Sequence, residues 1–189
     1  MTGGTRGREA TEESLRAAAG RLLAEGGVLA GLNLREVADA AGVNRGLVYQ
    51  YFGSRRALLR SALLHRSRVN AADAASGAGL PLRERLARLL WSNVRRPEAI
   101  RLTTLLVLDG DERVQVLPNR GRGREALARD AERGDLAGDD VDAVHAVLAS
   151  AVYGYTLLRE NLARELGVPL EELDERVARG LGDLFAAKP

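Results

Sequence analysis

In the stretch GVNRGLVYQYF, residues 42–52, an arginine, a glutamine and two tyrosines fall within seven consecutive positions. The chemistry these side chains offer is hydrogen bonding rather than bond-making. A guanidinium fork pairs with guanine O6 and N7. Phenol hydroxyls reach phosphate oxygens, which fixes register without reading sequence. Tyr49, Tyr51 and Phe52 cannot share one face of a helix, because helical neighbours lie three or four positions apart. The residues for bond-making chemistry are missing by contrast. Cysteine is absent, which excludes thiolate nucleophiles, disulfides and Cys-ligated zinc. The two histidines, His65 and His145, belong to no HExxH or comparable motif. GRGRE at 121–125 has the look of a phosphate loop but lacks the Lys-Ser/Thr ending and a preceding strand. No metal site, no cofactor and no enzymatic activity are expected.

The elements that must carry residues 42–52 can be read on either side of it. Alanine, leucine, glutamate and arginine dominate and short alternating patterns are missing, so the chain is expected to be all-α. Thr11 is the expected cap of a first helix with Leu15, Ala18, Ala19 and Leu22 as its apolar stripe, ended by Gly26-Gly27. Asn33 caps a short second helix whose Leu34, Val37, Ala38 and Ala41 fall at i, i+3, i+4 and i+7. Asn44 caps a third, ended by Gly53, and Ser54 caps a fourth. Two short helices joined by AAGVN after a longer helix make a helix-turn-helix. Ala38 lets the helices approach, Gly42 permits the left-handed turn, and Val43 plugs the space between them. Val48 and Phe52 continue the buried stripe; Gly46 and Gln50 then face away, flanked by Leu47 and Tyr49 and led by Arg45, a side shaped for a major groove.

Gly77, Gly79 and Pro81 mark a break near residue 80. Helical patterns follow at about 82–94, 97–109, 122–133, 140–165 and 171–186. Residues 111–124, DERVQVLPNRGRGR, read as a flexible loop, since Gly121 and Gly123 argue against regular structure there.

LNLREVADAAGVNRGLVYQYFGSRRALL resembles the DNA-binding segment of the TetR family of bacterial transcriptional repressors. The Ala-Gly-Val turn, the Tyr-x-Tyr-Phe ending and the Ser-led fourth helix match that pattern in order and spacing over residues 11–60. Beyond them the likeness rests on helix count, length and the final LLRENLARELGV. The resemblance implies roles. Arg35, Asn44, Arg45, Gly46, Leu47 and Gln50 would face base edges, with Gly46 allowing close approach and Leu47 able to touch a thymine methyl. Asn33, Tyr49, Tyr51, Arg55 and Arg56 would contact phosphates. Arg56 stands where the family commonly has an acid, and a salt bridge is its alternative role. The implied architecture is a three-helix helix-turn-helix domain over 9–53, a connecting helix over 54–80, and a helical effector-binding and dimerisation domain over 81–189, about nine helices in all.

One helix-turn-helix reads few base pairs, so a homodimer on a palindromic operator is expected. The dimer candidates are Val144, Val147, Leu148, Ala151, Val152 and Tyr155 on one helix with Leu173, Val177, Leu181 and Leu184 on the next; a purely intramolecular core is the alternative use of these residues. The resemblance also implies a small-molecule pocket among the middle helices. Its candidate lining is Leu86, Leu90, Trp91, Leu102, Leu105, Leu106, Asp109, His145 and Tyr153. Trp91 and Tyr153 stand out there because each couples an apolar ring to a polar handle. The function expected is a ligand-responsive repressor released from its operator by an effector. An effector-independent activator or architectural protein is the alternative.

Bulk numbers agree with this. The net charge is only +2, but residues 1–60 carry +3 and the remainder −1, with arginine supplying every cation except Lys188. Coding bias would favour arginine equally. MTGGTRGREA lacks the apolar stretch of a secretory signal. The longest uncharged run, Ala143 to Leu158, is short of the ~20 apolar residues of a membrane span. A cytoplasmic protein with no membrane partner is expected.

Overall fold

A computed structural model describes residues 3–26, 33–75, 77, 79–137 and 140–187. Among them the chain forms α1 (Gly3–Gly26), α2 (Leu34–Ala41), α3 (Arg45–Phe52), α4 (Arg55–Ala75), α5 (Leu82–Arg95), α6 (Glu98–Leu108), α7 (Arg120–Glu132), α8 (Val141–Leu166) and α9 (Leu170–Phe185). The described residues contain no strand; one isolated bridge joins Leu136 to Ala186. Two compact units divide the chain, residues 1–68 with 101–116, and residues 69–100 with 117–189. That is a division by compactness, whereas the boundaries expected at 53 and 80 separate functions.

In the first unit α1 packs on α2 and α2 on α3. Leu15, Ala18 and Ala19 of α1, Val37 and Ala38 of α2, and Val48 of α3 are buried. These are the positions that helical periodicity marks as the apolar stripes. Arg16 Nε donates to Ser61 Oγ at 2.7 Å, which ties α1 to α4. Thr11 does not cap α1 as expected. It lies inside the helix and donates its hydroxyl to the Gly7 carbonyl at 2.8 Å. A threonine can satisfy itself this way four residues back, and the Arg8–Glu12 pair at 2.9 Å supports the same turns.

In the second unit α9 packs on α5 and α8, α7 on α8, and α5 on α8. Leu86 and Leu90, Leu148 and Val152, and Leu173 and Leu181 meet in one core. Two carboxylates are buried with it. Asp130 is held by Arg85, and Asp174 accepts from Tyr155 Oη at 2.7 Å while pairing with Arg159. Burial and the neighbouring Asp174 charge push the Tyr155 phenol well above its ordinary pKa. The loop expected over 111–124 ends earlier, because α7 begins at Arg120 and both Gly121 and Gly123 are helical. Gly123 is there for packing. A Cβ on it would stand 2.9 Å from the His145 ring, so the missing side chain is what lets α7 and α8 close on that histidine.

Candidate nucleic-acid interface

The helix-turn-helix is built by local chemistry. Asn33 Oδ1 accepts from Arg35 N at 2.9 Å and Asn44 Oδ1 from Gly46 N at 2.8 Å, so each asparagine caps its helix. Such a cap contributes about 1 kcal/mol, and it leaves the amide NH2 of each free to donate. Gly42 adopts φ 68° between α2 and α3, a left-handed conformation that other residues enter at a cost. Val43 N then donates to the Ala38 carbonyl at 3.0 Å and closes the turn. Gly53, at φ 70°, ends α3, and Ser54 Oγ accepts from Ala57 N at 3.1 Å to start α4. A Cβ on Gly46 would press to 3.3 Å on the Asn44 cap oxygen, so the open approach at that position also protects the cap.

Asn33, Leu34, Arg35, Arg45, Tyr49 and Arg55 line one open recess of about 420 Å³. All but Leu34 are among the DNA contacts expected from sequence. They come from the start of α2, the start and middle of α3, and the start of α4. Three cations thus meet at a surface where Tyr49 is 60% exposed. The Arg35 and Arg55 side chains form no ion pair among the described residues. Arg45 is different: its Nη2 donates to Asp39 Oδ2 at 3.1 Å. Gly46 and Gln50 are exposed as expected and Leu47 is half-buried.

The other aromatics sort differently from Tyr49. Tyr51 and Phe52 are both half-buried, with Arg8 5.2 Å above the Tyr51 ring and Arg16 5.9 Å above that of Phe52. Arg8, from α1, thereby joins the tyrosine side of α3 and adds a cation that no motif marks. Asp39 is the second residue missed, since an acid on the outer face of α2 looks like ordinary solvated surface. Arg56 takes the alternative role. Its Nε donates to Asp109 Oδ2 at 2.8 Å and its Nη2 to the Asp109 carbonyl at 2.7 Å. One turn along, Arg60 Nε lies 2.9 Å from Oδ2 of the buried Asp111, whose Oδ1 accepts from Arg113 N.

The candidate pocket residues are distributed over both units. Leu86 and Leu90 are buried in the second unit's core, with Trp91 and Tyr153 packed against it; burial raises the Tyr153 phenol pKa. His145 packs on Gly123. Leu102 and Leu106 are buried in the first unit, Leu105 is half-buried, and Asp109 is exposed on Arg56. The candidate dimer residues divide as well. Leu148, Val152, Tyr155, Leu173 and Leu181 are buried in the chain's own core, against which Val144, Ala151 and Val177 pack. Val147 and Leu184 are exposed, as are Leu157 and Leu158 of α8. Among the described residues no His, Asp or Glu set is grouped to hold a metal ion.

Residues 15–62 match the model of the tetR family of bacterial regulatory proteins. No curated protein matches the chain by sequence. Solved structures share its fold. A TetR family transcription regulator from Marinobacter aquaeolei VT8 superposes with a TM-score of 0.71 at 19% identity, over 97% of this chain and 100% of that one. A TetR-family transcriptional regulator from Haemophilus influenzae Rd gives 0.61 at 16%, over 94% and 97%. A gamma-butyrolactone receptor, described as ArpA-like, gives 0.60 at 24%, over 93% and 96%.

Proposed function

We propose that this chain, a TetR-family regulator by its N-terminal segment and its fold, is a ligand-responsive repressor that binds a palindromic operator as a homodimer. The observation that carries the reading is that Asn33, Arg35, Arg45, Tyr49 and Arg55, with Leu34, line one open recess. Arg35 and Arg45 supply forks for base edges. Asn33, Tyr49 and Arg55 supply donors for phosphates on the rim, and Tyr51 with Arg8 supplies a further pair on the tyrosine side of α3. Neutralised phosphates release counterions, so affinity falls steeply with salt.

Dimerisation rests on the outer face of α8. Val147, Leu157 and Leu158 are exposed there, with Ser150 and Gly154 small enough for close helix approach. Leu184 of α9 is exposed at 72%. By length and composition alone α8 could cross a membrane, and 22% of its most apolar window is buried. Its packing on α5, α7 and α9 and its buried polar Thr156 suit a helix pair in a cytoplasmic protein better. Release by an effector has a physical lever in Asp109 and Asp111. They follow α6 and grip Arg56 and Arg60 of α4, the helix entered directly from the reading element. A ligand that binds one arrangement of this clasp more tightly shifts the population toward it. A gamma-butyrolactone receptor stands among the structural neighbours, so small lactones belong in the first set of effectors screened.

The test is a mobility shift on promoter DNA flanking the chain's own gene, at moderate salt, with light scattering for the oligomer. A sequence-selective complex of a dimer, dissociated by one of the screened ligands, is expected. Binding without sequence preference would sink the reading.

A further inference from the structure

Asp39 of α2 and Arg45 of α3 are 60% and 47% exposed, and Arg45 Nη2 lies 3.1 Å from Asp39 Oδ2 and 3.4 Å from Oδ1. An ion pair this open adds little to stability, so its main consequence concerns where the arginine is held. Arg45 is the first residue of α3, where the positive end of the helix dipole disfavours a cation. Left alone, its long stem would sample many rotamers and lose that freedom on docking to a base. Asp39 removes part of that cost beforehand. Asp39 is contacted by Nη2 alone, through both carboxylate oxygens, so the Nη1 and Nε hydrogens stay open to base-edge acceptors such as guanine O6 and N7.

We infer that Asp39 is a positioning and specificity-determining residue of the DNA interface, holding Arg45 for guanine while its own charge weakens binding to DNA at large. The inference rests on the DNA-binding reading above. It carries a signature that a merely structural ion pair lacks, because the two effects of removing Asp39 have opposite signs. Discrimination is lost with the ordered arginine, whereas attraction to phosphates grows with the lost anion.

The full-length chain, Asp39→Ala, Asp39→Asn, Arg45→Ala and the double Asp39→Ala/Arg45→Ala variant would be put through selection from randomised duplex DNA. Affinities for the selected site and for a random duplex would follow. Asp39→Asn keeps the side chain's shape and covers the case of an alanine variant that folds poorly. Both Asp39 variants should lose at least about threefold of the guanine preference at the Arg45 contact. Affinity for random duplex should rise about twofold or more at low salt. In the Arg45→Ala background, removing Asp39 should leave base preference unaltered. Preference that survives in both Asp39 variants overturns the inference, and so do specific and random affinities that shift in parallel. A change of preference that persists without Arg45 overturns it too, since Asp39 would then read a base itself. If the unaltered chain selects no sequence at all, the DNA-binding reading falls and this inference with it.

Discussion

Arg35 and Arg55 of the first unit stand without an ion-pair partner among the described residues, whereas Arg85 and Arg159 of the second are held against Asp130 and Asp174, which are 3% and 4% exposed. The same side chain does two jobs. A guanidinium in water adds little to stability, so the first pair is free to meet a polyanion. A guanidinium sharing a buried carboxylate is costly to disturb, because removing one partner strands the other's charge. Arg45 and Arg56 fall between these extremes, each exposed yet each already paired with an aspartate. Charge at the start of α2, α3 and α4 is thus graded from free to partly committed.

Four measurements would break or sharpen this contrast. The largest effect belongs to Asp174→Ala, which leaves the Tyr155 hydroxyl and the Arg159 guanidinium without their shared acceptor. Denaturant unfolding should show a loss of about 3–5 kcal/mol, with DNA affinity of the folded fraction unchanged; a loss under about 1 kcal/mol would put Asp174 in the same class as the surface charges. Arg45→Ala should do the reverse. Base preference at one operator position should relax by about 1–3 kcal/mol, while stability stays within about 0.5 kcal/mol. An unchanged selected sequence would remove Arg45 from base reading.

Tyr49→Phe comes next. Losing one hydroxyl should weaken every duplex alike by about 0.5–1.5 kcal/mol, measured as parallel loss on specific and random DNA. A loss confined to one sequence would make Tyr49 a base reader. The smallest effect separates two adjacent arginines. Arg55→Gln should reduce the slope of log affinity against log salt by about 1, and Arg56→Gln should leave it nearly unchanged, because Asp109 already neutralises that charge. Equal reductions would show that phosphate displaces Asp109 from Arg56.

The helix-turn-helix was legible because its determinants are local. Asn33, Gly42, Asn44, Gly53 and Ser54 each act on backbone within four residues of themselves, so a one-dimensional reading finds them. The same locality misled at Thr11, where a hydroxyl that could cap instead bonds back inside α1. It misled again at Gly121 and Gly123, both helical despite a helix-breaking propensity of about 1 kcal/mol per glycine; at Gly123 that propensity yields to the packing of His145. Asp39 and Arg8 were illegible as site residues, and Asp109, expected in the pocket lining, instead pairs with Arg56, since each of these contacts comes from a partner on another helix.

The sequence by itself determined the all-α class, the helix-turn-helix, the face of α3 turned away from the core, and the gathering of cations in the first sixty residues. Periodicity and caps act over a few residues and are written in the order of the chain. Tertiary structure decided which of those cations are free. It also divided the apolar α8 positions, placing Leu148, Val152 and Tyr155 in the chain's own core and leaving Val147, Leu157 and Leu158 outside. A helical period specifies which residues share a face, but whether that face is covered depends on elements distant in the chain, and only packing brings those together.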